Sequence, residues 1–289
     1  MEELRQHYNE LYRTDSQIKG VTAVRVATPF SPLIDCFDVM VLIVTEQPSS
    51  FFNMVHYIKD NCRVQERRID ASSFERGLLD GAHQNFIHWI LQGEILVDRE
   101  QYLHGLRQKL IEFPTDMREQ KLFHEFALFM RSHLQGKQYI QEEHVFDAYS
   151  SILEALHHWA QIAIIESGHQ PEMTVWSHIR KINPGIYKLY EELTSSSESM
   201  EQRVRLVILA CEFSMMSKME NCCVLLMRII RGRQEPWSIE ELKGHPDLEG
   251  LDDDLGLLLN KLVAKSLVKE VVVAEDPTLI SLALRYICA

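Results

Sequence analysis

Long uncharged apolar runs are missing from this chain: none reaches the ~18 residues that a membrane-crossing helix needs. The opening Met1 to His7 is polar and charged, unlike a secretory leader, so the expected location is cytoplasmic with no membrane anchor. Basic charge is also scarce. With 30 Lys and Arg against 42 Asp and Glu the formal charge is −12. Proteins that coat nucleic acid through phosphate contacts need the opposite balance. Cys36, Cys62, Cys211, Cys222, Cys223 and Cys288 are scattered and never form Cys-x-x-Cys. That excludes a zinc knuckle and a disulfide framework and leaves reduced, buried thiols. Low-complexity sequence is confined to Ser195 to Ser197, so extended disorder is not expected.

What is present is an ordinary globular composition, 46% hydrophobic over 289 residues, enough for two or three domains. Residues 1–114 read as an α/β unit. Leu4, Tyr8 and Leu11 or Tyr12 mark an opening helix, Val21 to Val26 alternates as a strand, and Pro29 and Pro32 break the chain before an apolar strand from Asp38 to Val44. Phe51 to Asn61 reads as helical, Cys62 to Asp70 as a strand, and Ser72 to Gln92 as one long helix with Phe74, Leu78, Phe86 and Trp89 inward. Residues 115–233 carry helix after helix, with breaks at Gly168 to Pro171, Asn183 to Gly185 and the serine run, which is the pattern of a helical bundle. Residues 234–289 read helix, helix, hairpin. Ser238 is the expected N-cap of the first helix, Leu251 to Lys265 is the second, and Leu267 to Val273 and Thr278 to Leu284 are the strands. That order suits a winged helix-turn-helix unit, and the fold class is α+β.

The stretch that bears on chemistry is Asp35-Cys-Phe-Asp38 at the mouth of Val39 to Val44. Two carboxylates beside a buried strand are a common way to hold a divalent metal. Side chains alternate along a strand, so carboxylates that chelate one ion should sit two apart. Asp35 and Asp38 are three apart, and the same-face neighbours of Asp38 are Cys36 and Met40. Either the chain bulges and brings Asp35 round, or the metal site has been lost.

The α/β head, the hydrophobic strand opened by Asp38, the segment Trp89-Ile-Leu-Gln-Gly-Glu-Ile-Leu-Val-Asp98 and the helices after it resemble a nucleotidyltransferase with its helical substrate-side domain. The whole chain resembles the bacterial nucleotidyltransferase-like proteins that add a C-terminal helix-turn-helix unit. The resemblance implies a Gly-Ser turn for nucleotide phosphates, Asp-x-Asp for Mg2+, and a third carboxylate on a neighbouring strand. In this chain the turn is Thr28-Pro-Phe-Ser31-Pro32, which has no glycine and two residues lacking N–H donors. Cys36 takes the first aspartate's place if Asp38 is the second, and Asp70 or Glu66 is the candidate third. Candidate metal ligands are therefore Asp35, Asp38 and Asp70. Candidate phosphate or ligand contacts are Ser31, Arg63, Arg67 and Arg68, the arginines offering bidentate geometry unless they form a solvated edge strand.

Elsewhere, His157 and His158 are adjacent on a helix and point about 100° apart, which does not converge on one ion. Met215 to Met219 reads as bundle packing. The candidate recognition helix opens with Asp252, Asp253 and Asp254 and carries only Lys261 and Lys265, which argues against DNA and for contact with protein. The function expected is a degenerate nucleotidyltransferase-fold protein that binds a nucleotide, small ligand or protein partner in the cleft between head and helical domain, with a homodimer among the partners. The alternatives are an active Mg2+-dependent nucleotidyltransferase acting on a small molecule or protein, and a nucleotide-sensing transcription regulator.

Overall fold

The computed structural model describes residues 2–25, 31–47, 54–79, 84–171, 174–248, 252–273 and 282–289. The chain divides into two compact units, 1–114 and 115–289.

The first unit opens with helix α1, Glu2–Leu11, and strand β1, Ile18–Arg25. Strand β2, Val39–Thr45, is followed by β3, Met54–Lys59, and β4, Cys62–Asp70. Helices α2, Ala71–Leu79, and α3, Gln84–Gln92, lead into β5, Glu94–Asp98, and α4, Tyr102–Glu112. The strands form one five-stranded sheet in the order β3-β4-β2-β1-β5. β2 is its centre, parallel to β4 and antiparallel to β1. This is where its composition sends it, because Val39 to Val44 are all buried and a strand covered on both faces must be internal. Leu4, Tyr8 and Tyr12 cover the face that carries Val39, Val41 and Ile43.

One sequence expectation is corrected here. The segment expected to be helical within 51–61 contains strand β3 over its described part, residues 51–53 lying outside the described set. Its turn to β4 is Asp60-Asn61, both left-handed at φ 50° and 61°, the backbone of a type I′ hairpin without the usual glycine. Of the helix expected over 72–92, the described residues carry α2 and α3, and 80–83 lie outside the described residues. Edge strand β5, which follows Gly93, pairs with β1.

The second unit begins with α5, Thr115–Gln141, and α6, Val145–Glu166. Helices α7, Val175–Ile182, α8, Pro184–Ser195, α9, Met200–Cys222, and α10, Val224–Arg231, follow. α5 and α6 approach closely at Gly136, where an added Cβ would lie 2.6 Å from Ile152 Cδ1. The chain continues through α11, Ile239–Lys243, and α12, Asp252–Ala264, to the hairpin of β6, Val268–Val273, and β7, Ala283–Cys288. Trp237 and Tyr286 exchange backbone hydrogen bonds of 2.8 Å, adding a third short segment to the hairpin. Ser238 caps α11 in a capping box with Glu241, as expected. The second strand was expected from Thr278; its observed span starts at Ala283, and 274–281 lie outside the described residues.

Leu255, Leu258, Leu259 and Leu262 form the buried stripe of α12. They join a single core with Phe123, Phe126 and Met130 of α5 and the inner face of α9. Polar contacts tie α5 to α12, to α10 and to the turn before α12. Arg131 of α5 pairs with the buried Asp254, Glu119 pairs with Arg228, and Gln120 Nε2 donates to Asp247 Oδ1 at 3.4 Å.

Candidate functional site

The candidate site is the end of the first unit's sheet where β2 begins beside β4. Ser31 caps a short 3-10 turn, Pro32–Ile34, its hydroxyl accepting from the Leu33 N–H. Trp89 Nε1 donates to Leu33 O at 3.0 Å and pins this turn to α3. Asp35 and Cys36 then both take left-handed backbone, φ 47° and 62°, a conformation that non-glycine residues adopt at some cost. That pair of residues is a local irregularity of the chain just before Asp38. It swings the Asp35 carboxylate over β4, where Gln65 Nε2 donates to it at 3.0 Å and Arg67 forms an ion pair with it. Asp38 lies at the mouth of the central strand, and its Oδ2 accepts the Arg63 backbone N–H at 2.7 Å.

Strand alternation sorts the other residues. Arg63, Gln65 and Arg67 share one face of β4 with Met54, His56 and Ile58 of β3 and, through the parallel register, with Met40 and Leu42 of β2. Gln65 is fully buried and receives Arg67 Nε on its own oxygen at 2.9 Å. Arg63 lies over the Phe37 ring at 4.9 Å and Arg67 over the Trp89 ring at 5.3 Å, both within cation–π reach. Phe37 in turn packs against His56. The structure therefore brings Asp35, Asp38, Arg63 and Arg67 together, and adds Gln65, Phe37, His56 and Trp89, which sequence reasoning did not single out. The period-2 polar series at 63, 65 and 67 was the signal available.

Arg68 and Glu66 point to the opposite face. There Tyr8 Oη donates to Glu66 Oε2 at 2.8 Å and meets Tyr57 Oη at 2.7 Å, while Arg68 bonds Glu66 and the Tyr12 hydroxyl. Burial, the Tyr57 bond and the neighbouring Glu66 charge push the Tyr8 phenol well up. Asp70 is not brought to the site either. It pairs across from Thr45 while Asp38 precedes Val39, so the two stand roughly 20 Å apart at opposite ends of β2. Its carboxylate caps α2, accepting Ser72 Oγ at 2.6 Å and the Ser73 N–H at 2.9 Å. The cap's hydrogen bonds outweigh the cost of burial and hold its pKa below the ordinary value. Thr28, Pro29 and Phe30 of the expected phosphate turn lie outside the described residues.

A divalent metal does not fit the residues at this site. The position two along from Asp38 is the buried Met40, its cross-strand neighbour is Gln65, and a guanidinium already neutralises Asp35. Among the described residues no group of three His, Cys, Asp or Glu side chains is placed to hold a metal ion.

The remaining motifs resolve into packing. His158 Nδ1 sits 2.8 Å from Glu125 Oε2 and His157 Nε2 lies 2.9 Å from Gln161 Nε2, so the two rings face different partners. Met215 and Met219 are buried, and burial pushes the Cys211 and Cys222 thiols up to about 12. No helix among the described residues is long and apolar enough to cross a membrane.

Comparison with known proteins agrees with this architecture. A family profile described as "Nucleotidyltransferase-like" matches residues 1–118 and a "Helix-turn-helix domain" profile matches 225–276. The fold thus defines a nucleotidyltransferase-like protein with a C-terminal helix-turn-helix domain. Between them, a "YgxA-like substrate binding domain" profile matches 119–218. The chain is 34% identical to the uncharacterized protein YgxA of Bacillus subtilis (strain 168) over 238 residues, 82% of this chain and 81% of that protein. It superposes on the crystal structure of a nucleotidyltransferase-like protein from Exiguobacterium sibiricum with TM-score 0.89 and 30% identity, covering 100% of this chain and 99% of that one. The chain belongs to the YgxA family of nucleotidyltransferase-like proteins.

Proposed function

We propose that the head is a non-catalytic nucleotidyltransferase fold that binds a phosphate-bearing ligand, such as a nucleotide, at the Asp35–Arg67 end of its sheet. The observation that carries this reading is the commitment of both candidate metal carboxylates to protein donors, Asp35 to Arg67 and Gln65 and Asp38 to the β4 backbone. Two-metal phosphoryl transfer needs carboxylates that clamp ions over the attacking and leaving oxygens, and an arginine in their midst opposes that charge arrangement. The same arginines suit an anion. Arg63 is exposed with its guanidinium stacked on Phe37, presenting N–H donors in the fork that phosphate accepts.

The test is calorimetric titration of the full chain with each nucleoside triphosphate, with and without Mg2+ or Mn2+. Binding that is insensitive to metal and weakened roughly tenfold, about 1.4 kcal/mol, by Arg63→Ala is expected. No binding of any triphosphate, or binding that appears only with metal, would count against the reading.

For the C-terminal unit the proposal is docking to the bundle rather than DNA reading. Supporting it are the α12 leucines in the bundle's core and the Arg131–Asp254 pair at the helix end that a DNA reader would present to the major groove. Fluorescence anisotropy with mixed-sequence duplex DNA near physiological salt should show no binding tighter than a non-specific interaction. Sequence-selective binding weakened by Lys261→Ala or Lys265→Ala would reverse the assignment.

A further inference from the structure

Helix α9 carries apolar residues on two opposite faces. Val204, Val207, Ile208, Cys211, Met215 and Met219 face the bundle core and are buried. On the opposite side Leu206, Leu209, Phe213 and Met216 recur at helical spacing and are 47%, 66%, 79% and 43% exposed. A contiguous exposed apolar stripe marks a contact surface.

We propose that this stripe is the centre of a two-fold interface between two copies of the chain, with α9 packed antiparallel on the α9 of the second copy. The charges at its ends select that occupant. Arg205 and Glu220, both exposed, stand at opposite ends of the stripe. Antiparallel packing centred between Glu212 and Phe213 sets Arg205 of each copy against Glu220 of the other. The same register sets Leu209 against Met216 of the second copy and brings the two Phe213 rings to the axis. An isologous interface requires this self-complementarity, in which both charge pairs and both apolar pairs close at one register. A shift of one turn would break the charge pairs and keep the apolar contact. Arg205 is free to make the new pair, because its present partner Glu201 is an exposed neighbour one turn back on the same helix, a contact of little strength.

The experiment is light scattering and sedimentation of the full chain at micromolar concentrations. The wild type should show twice the 33.7 kDa chain mass. Phe213→Glu should give a monomer with unchanged helical circular dichroism, since Phe213 makes no contribution to the core. Arg205→Glu and Glu220→Arg should each weaken association roughly tenfold, and the double exchange should restore it. The restoration tests the register independently of any folding defect in the Phe213 variant. A wild-type chain that remains monomeric, or a dimer indifferent to Phe213→Glu and to both charge reversals, would overturn the proposal.

Discussion

At the scale of single residues, the first unit places its polar side chains on two faces of one strand with different fates. Arg63, Gln65 and Arg67 lie on the face of β4 at the candidate site, while Glu66 and Arg68 bond Tyr8 and Tyr12 on the other face. The Tyr8–Glu66 contact is inside the protein, so removing the hydroxyl leaves a buried carboxylate short of a donor. Tyr8→Phe is therefore expected to cost about 1–3 kcal/mol in urea unfolding, whereas a change under a few tenths would mean the network is not structural. That Arg63 and Arg67 share one face was legible in the sequence, because strand alternation puts residues four apart on the same side. Arg68 was not separable from them by composition, only by its parity along β4. Asp35 was legible as a candidate but its partner was not, since a pair of left-handed non-glycine residues leaves no signature in the sequence.

At the scale of elements, caps and close approaches set what can be changed. Glu241 closes the capping box of α11 and is held by Arg233 as well, which lowers its pKa to about 2 from the ordinary 4.5. A carboxyl whose folded pKa is depressed adds stability above pH 4.5 that is lost as the pH falls toward 2. Urea midpoints measured across that range should fall in the wild type and fall less in Glu241→Gln, which keeps the cap geometry. Parallel curves would show that the carboxylate adds nothing. Ser238→Ala should cost about 1 kcal/mol by the same measurement. Gly136→Ala is expected to cost roughly 1–3 kcal/mol, because the new Cβ would meet Ile152 where α5 and α6 touch. The bundle helices, α11 with its cap, and the α12 leucine stripe were legible because periodicity and capping are local signals. Strand β3 was not, since the Asp60-Asn61 turn that folds it onto β4 lacks glycine and the run His56-Tyr57-Ile58 fits either period.

At the scale of the molecule, the chain keeps the architecture of a nucleotidyltransferase-like protein while Asp35, Asp38 and Asp70 serve as ion-pair partner, strand-end acceptor and helix cap. Fold order was readable from sequence because each unit has its own periodicity. The fate of the carboxylates was not, because hydrogen-bond partners depend on register between strands far apart in the chain. The most direct measurement of the central claim is transfer of labelled nucleotide from each triphosphate to protein, water or small acceptors in the presence of Mg2+ or Mn2+. The account predicts no label above background and no difference between the wild type and Asp38→Ala. Metal-dependent transfer by the wild type that Asp38→Ala abolishes would contradict it.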